Sequence, residues 1–162
     1  MKKLRFGKPT NLGGFAMQIS DDVFTSNIFT IGTVNTNALV LLLANQKPLS
    51  FISGAPIDLG DKLRQSNRAE FHHLMPKAFV QSSSQNAYSP NCLANFAFIS
   101  RADNRVLGGV PPSSYRKHMP ADSAVIFERA LCPEKELMND NLEAFIKARA
   151  AALRSAAEAL CV

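Results

Sequence analysis

Two of the chain's three histidines stand side by side in Glu70-Phe71-His72-His73-Leu74-Met75-Pro76, with an acid two residues ahead of the pair and a proline three residues behind it. Imidazole is the side chain best suited to proton transfer or metal ligation near neutral pH, so this run is where the sequence concentrates chemistry. Read as a strand, Glu70 and His72 point to one face and His73 to the other. Pro76, which lacks an N–H, ends the ladder so that a loop begins just after the rings. Strand ends opening into loops are common places for sites. The plainer alternative is an accidental pair, one ring satisfied in the core and the other solvated. Arg68 shares parity with Glu70 and His72, so its fork of donors is placed to hold a phosphate oxygen or to pair with Glu70.

A second stretch, Asn91-Cys92-Leu93-Ala94-Asn95-Phe96-Ala97-Phe98-Ile99-Ser100-Arg101-Ala102-Asp103-Asn104-Arg105, shifts the balance. Phe96 to Ile99 has the aromatic and β-branched content of a strand, and Arg101 to Arg105 reads as a polar turn, so Asn104 falls at the start of whatever follows. The order is then a strand with His-His, a long loop, Asn95, a strand, Asn104. In this order the chain resembles the HNH endonucleases, the ββα-metal fold. Leu74-Met75-Pro76 matches the family's hydrophobic-x-Pro continuation, and the nine-residue spacing of Asn95 and Asn104 matches the HNH domains of RNA-guided nucleases. Glu70 ahead of the pair looks like the Glu-x-His-His of bacteriocin nucleases. Ser50-Phe51-Ile52-Ser53-Gly54, Glu-x-His-His-x-x-Pro-Lys, Leu-Ala-Asn with Asn104, Pro112-Ser113-x-Tyr115 and Phe145-Ile146-x-x-Arg149 together resemble the C-terminal nuclease region of bacterial proteins related to GmrSD-type restriction systems.

The resemblance implies roles residue by residue. His73 would be the general base, His72 and Asn104 the ligands of one divalent ion, Asn95 the tie across the loop, and Glu70 a partner that fixes a histidine tautomer, orients Arg68 or joins the metal shell. Mg²⁺ is the expected ion, because Asn104 stands where the bacteriocin enzymes have further histidines; Mn²⁺, Zn²⁺ and Ni²⁺ are alternatives. Arg68, Lys77, Arg101 and Arg105 would meet the DNA backbone, with little sequence preference. The implied activity is nicking of duplex DNA in bacterial defence, with a sensing or NTPase domain or partner subunit outside this chain. The other reading is an inactive nucleic-acid-binding or assembly module that keeps the fold.

These groups need a scaffold, and 162 residues suffice for one domain with a substantial core. A hydrophobic content of 46% with 19% charged residues is that of a globular chain. The net charge of +5 favours an anionic partner. Three widely spaced cysteines, Cys92, Cys132 and Cys161, argue against a disulfide scaffold or zinc knuckle and fit a reducing cytoplasm. The basic start Met1-Lys2-Lys3-Leu4-Arg5 has no apolar run behind it, so no signal peptide is expected, and Ala38 to Ala44 is too short to cross a bilayer.

The expected architecture is α+β over 1–162. A small ββα-metal core of about 66–118, a two-stranded antiparallel hairpin plus a helix, packs among several α-helices. A helical or irregular region 1–65 precedes it, and a helical region 121–162 follows. Thr36 is expected to cap a helix through Ala38–Ala44, though its unbroken apolarity also suits a buried strand. Phe51 to Gly60 reads as a loop leading toward the site, and Lys77 to Asn91 as a long exposed loop. Lys62 and Arg64 fit a solvated surface, and His118 reads as a surface residue. Ser113-Ser114 cap a turn containing Tyr115, and Asp122 to Leu131 form a short helix. From Asp140, with Glu143 in a capping box, a longer helix buries Leu142, Phe145, Ile146, Leu153 and Leu160 and turns Lys147, Arg149 and Arg154 outward.

Overall fold

The computed structural model describes residues 18–59 and 71–161, apart from the side chain of Arg101. The architecture is α+β, a two-stranded antiparallel pair set among several helices. Helices α1 (Asp22–Thr25) and α2 (Val34–Asn45) come first, then β1 (Phe71–His73), α3 (Lys77–Ser82), β2 (Phe96–Phe98) and α4 (Arg101–Leu107). Next come α5 (Ala124–Arg129), α6 (Glu134–Met138) and α7 (Leu142–Ala159), with single 3₁₀ segments at Leu93–Asn95 and Pro112–His118. No described helix is long and apolar enough to cross a membrane.

The apolar run at 38–44 is helical, and only Leu39, Leu42 and Leu43 of its leucines are buried, at the i, i+3, i+4 spacing of one helical face, while Leu41 lies outside. Its cap is Thr33, not Thr36: the Thr33 hydroxyl accepts the Thr36 N–H, and the Thr36 hydroxyl accepts the Thr30 N–H. The expected loop after Pro76 is partly wrong. Pro76 sits at the N-cap of α3, where its missing N–H costs nothing, and only the residues beyond Ser83 form the loop. Arg101 to Arg105 is likewise helix and not turn. The Ser100 hydroxyl accepts the Asp103 N–H, closing the first turn of α4.

Helix α7 begins one residue later than expected. Asn141 accepts the Ala144 N–H as cap, whereas Asp140, at a φ of 56°, accepts the Ser113 N–H. Its buried stripe is Leu142, Phe145, Ile146, Arg149, Ala150 and Leu153. Two expectations fail here: Leu160 is exposed past the helix end, and Arg149 points inward and is fully buried. Helix α7 packs on α1, α2, α6 and the Leu93–Asn95 turn, so the last helix lies beneath the segment that leads into β2. The core runs continuously from Phe24 and the α2 leucines through Leu74, Met75, Leu93, Phe98 and Ile99 to Leu137 and the α7 stripe. Full burial of side chains such as Leu74 and Met75 stabilises the fold by roughly 2 kcal/mol each.

Candidate functional site

The two strands run antiparallel with Phe71 opposite Phe98, His72 opposite Ala97 and His73 opposite Phe96. Strand alternation therefore sends the two imidazoles to opposite faces. On the His73 face the aromatic rings stack into a ladder. His73 lies 4.4 Å from Phe96, Phe96 lies 4.2 Å from Phe29, and Phe29 in turn lies 5.3 Å from Phe71, itself 4.7 Å from Phe98. Aromatic pairs at these separations add about 0.5–1.5 kcal/mol each beyond area burial, so the His73 ring has a stiff floor.

At the end of the strand both rings nevertheless line one cavity of about 350 Å³, together with Pro76, Lys77, Asn104, Arg105, Gly108 and Gly109. It thus joins the end of β1, the start of α3 and the far half of α4. Five residues singled out from sequence meet here: His72, His73, Lys77, Asn104 and Arg105. Gly108 is the residue after α4 and has φ 66° and ψ −160°, a backbone conformation open to glycine alone, which lets the chain turn back at the cavity wall. Arg101 starts α4, but its side chain lies outside what is described, as do Arg68, Glu70, Lys62 and Arg64. His118 is half-buried at the end of the second 3₁₀ segment and does not line the cavity.

The turn after the histidines is fixed from several sides. The fully buried Asn95 side chain accepts the Met75 N–H at 2.9 Å and donates to the carbonyls of Met75 at 2.9 Å and Pro90 at 2.8 Å. Its backbone carbonyl accepts the Leu74 N–H at 2.8 Å, and the buried Tyr115 hydroxyl donates to the Leu74 carbonyl at 3.1 Å. Burial pushes the Tyr115 phenol far up, so it stays a donor throughout the accessible pH range. Asn95 holds the loop and does not line the cavity.

A buried carboxylate anchors the helix that carries Asn104. Asp103 accepts the Ser50 O–H at 2.7 Å and the Phe51 N–H at 3.2 Å, tying the 50–54 turn to α4. Ser50 also accepts the N–H groups of Ile52 and Ser53, which explains a serine at the head of that turn. Arg149 reaches from α7 to donate to the Phe96 carbonyl at 3.0 Å, on the residue opposite His73; its Nε and Nη1 have no hydrogen-bond partner among the described residues. Burial pulls its pKa down, and burial raises the thiols of Cys92 and of Cys132, the latter to about 11. These two cysteines are therefore neutral packing groups.

The His73 imidazole is held below its ordinary value, first by burial, with its neighbours His72 and Lys77 adding to the effect; its hydrogen bond to Asn91 opposes them. That bond, from Nε2 to the Asn91 carbonyl oxygen at 3.0 Å, brings in a residue that sequence reasoning did not assign. Only the turn-rich context around Pro90 hinted at it. The ring is thus mainly neutral at pH 7, with a lone pair available for a proton.

For a divalent ion the cavity offers one imidazole and one carboxamide, His72 and Asn104. Neutral nitrogen and oxygen donors of this kind fit an ion that keeps several positions for water and phosphate oxygens. Among the described residues no group of three or more His, Cys, Asp or Glu side chains gathers to hold a metal. Compared with known proteins, the chain matches no protein-family model, no curated protein and no solved structure.

Proposed function

We propose that this chain is a metal-dependent endonuclease of the HNH, ββα-metal type that hydrolyses phosphodiesters of duplex DNA. The observation that carries the reading is the convergence of His72, His73, Lys77, Asn104 and Arg105 on one cavity, from segments some thirty residues apart in sequence. The succession β1, α3, β2, α4 supports the reading, since a helix follows directly on the second strand as in a ββα unit.

A phosphodiester resists attack because its anionic oxygens repel a nucleophile and the departing alkoxide is a poor leaving group. His73 answers the first difficulty. Neutral and seated on Phe96, it takes the proton from an attacking water. Lys77 and Arg105, both exposed at the cavity, bind the scissile phosphate and its neighbour and orient them. His72 and Asn104 would hold the divalent ion, Mg²⁺ or Mn²⁺ in turnover, which when bound supplies Lewis-acid stabilisation of the charge that builds on phosphate and leaving oxygen. Asn95 and Tyr115 keep the turn after the histidines in place without touching substrate.

With one site the enzyme cuts one strand at a time. The setting in which such an effector works is defence against foreign DNA, with target choice made by a sensing domain or subunit. Incubation of supercoiled plasmid with Mg²⁺ or Mn²⁺ tests the activity. Open-circular product that vanishes in EDTA, and that falls by a factor of about 10² to 10⁴ in a folded His73→Ala variant, is the expected result. DNA retained but never cut under any divalent metal would leave a binding module in place of the enzyme.

A further inference from the structure

The Asn91 side chain engages one particular nitrogen of the His73 ring, and this contact bears on which nitrogen is left to react. A neutral imidazole carries a single N–H, on either Nδ1 or Nε2, and the two tautomers lie close in energy unless a partner chooses between them. The carboxamide oxygen is an acceptor only, so at 3.0 Å it selects the ring with hydrogen on Nε2 and the lone pair on Nδ1. It also selects one of the two flipped orientations, because a rotated ring would bring a carbon against the oxygen.

Asn91 is well placed for this. Its backbone carbonyl accepts the Phe29 N–H at 2.9 Å, and its N–H donates to the Ser89 hydroxyl at 3.2 Å. The preceding carbonyl, of Pro90, is held by Asn95, and the next residue, Cys92, pairs with Ile28. The oxygen that meets His73 is thus fixed through Phe29, which also stacks on the Phe96 ring beneath the imidazole.

We infer that Asn91 is a positioning residue that locks His73 in the Nε2–H tautomer and so makes Nδ1 the nitrogen that accepts the proton from water. The inference rests on the nuclease reading for its catalytic half, whereas the choice of tautomer is measurable without any cutting.

The decisive measurement is a long-range ¹H–¹⁵N correlation of the histidine rings in the ¹⁵N-labelled, metal-free full chain at pH 8, with His73 assigned by the loss of its signals in His73→Ala. The Nε2–H pattern is expected for wild type, and a mixture of tautomers for Asn91→Ala with an otherwise native amide spectrum. A wild-type ring with hydrogen on Nδ1, or a pure Nε2–H pattern that persists in Asn91→Ala, would overturn the inference. Should Asn91→Ala fail to fold, Asn91→Asp, which keeps an acceptor oxygen, must retain the wild-type tautomer pattern. Plasmid nicking supplies the second arm. Asn91→Ala is expected to lower kcat roughly 10- to 100-fold with little change in KM, the usual effect of losing a group that orients an active imidazole. Asn91→Asp is expected to restore most of that loss. Equal loss in both variants would overturn the catalytic half. If wild type has the Nε2–H ring yet never nicks DNA, the nuclease reading falls while the role of Asn91 in setting the tautomer stands.

Discussion

The carboxamide of Asn95 and the backbone of Met75 form a closed ring of two hydrogen bonds, each 2.9 Å, that joins residues twenty apart in sequence. A third bond, to the Pro90 carbonyl, completes the use of both amide hydrogens. The two bonds to Met75 are buried and the one to Pro90 is partly so, so Asn95→Ala would strand two backbone polar groups in a dry interior and a third at its edge. At about 1–3 kcal/mol for each stranded group, the variant should lose roughly 3 kcal/mol or more, read as a drop in the urea midpoint at unchanged slope. A loss below about 1 kcal/mol would mean that water replaces the side chain.

If the chain cuts DNA as proposed, the pH dependence of cutting follows from His73. Burial, with His72 and Lys77 adding to it, holds this imidazole below the ordinary value of about 6.5. The acid limb of the nicking rate should therefore have its midpoint below 6.5. The linked stability has the same sign. The native state disfavours the proton, so this contribution is complete above 6.5 and is lost as the pH falls through that value toward the native pKa. Lys77→Gln removes one of the opposing charges and should move the limb upward. A limb centred above 6.5 in wild type would contradict the environment described for the ring.

Salt dependence tests the two cations at the cavity. If Lys77 and Arg105 each neutralise one phosphate, Lys77→Ala and Arg105→Ala should each lower the slope of log K against log salt by about 1 and weaken every duplex alike. Fluorescence anisotropy of a labelled duplex, titrated at several salt concentrations in Ca²⁺, reads this directly. Unchanged slopes in both variants would place the DNA on another face.

Gly108 turns the chain at the cavity wall with a φ of 66° and a ψ of −160°. Among the described residues nothing lies within 4 Å of where a Cβ would stand, so the cost of Gly108→Ala is conformational and not steric. That cost should be about 1–3 kcal/mol in thermal or urea unfolding. A neutral result would mean that α4 ends differently in solution.

Arg149 offers a contrast in how a buried cation is replaced. Arg149→Ala removes a large fully buried side chain and its bond to Phe96, and should cost roughly 2–4 kcal/mol. Arg149→Met fills most of the space without a charge to desolvate and should recover much of that loss. Urea midpoints of the two variants decide it; equal losses would show that the hydrogen bond, not the packing, is what matters.

The candidate residues that meet at the cavity stood out in the sequence because their types are rare and their spacing is short. A His-His pair before a proline, and two asparagines around an aromatic strand, needed no tertiary information to be noticed. The helices around them were harder, for local reasons. Arg101 to Arg105 looks like a polar turn until Ser100 and Asp103 are read together as a cap at the N-terminal end of a helix. Arg149 falls on the 142, 145, 146, 149, 153 stripe, so its spacing buries it while its charge points to solvent, and in the structure the spacing prevails. The contacts of Asn91 with His73 and of Asp103 with Ser50 lie outside any sequence pattern, since they depend on how distant loops pack.

The placement of Arg149 bears on how small the working unit can be. Its guanidinium, from α7, ends against the strand that faces His73, so the hairpin does not rest on its immediate neighbours in sequence alone. A protein trimmed to the stretch about 66–118 would lose that support together with Ser50 and Phe29, and its histidines would be left without the frame that aligns them. Deletions meant to isolate the reactive part must keep the chain from residue 29 through residue 149.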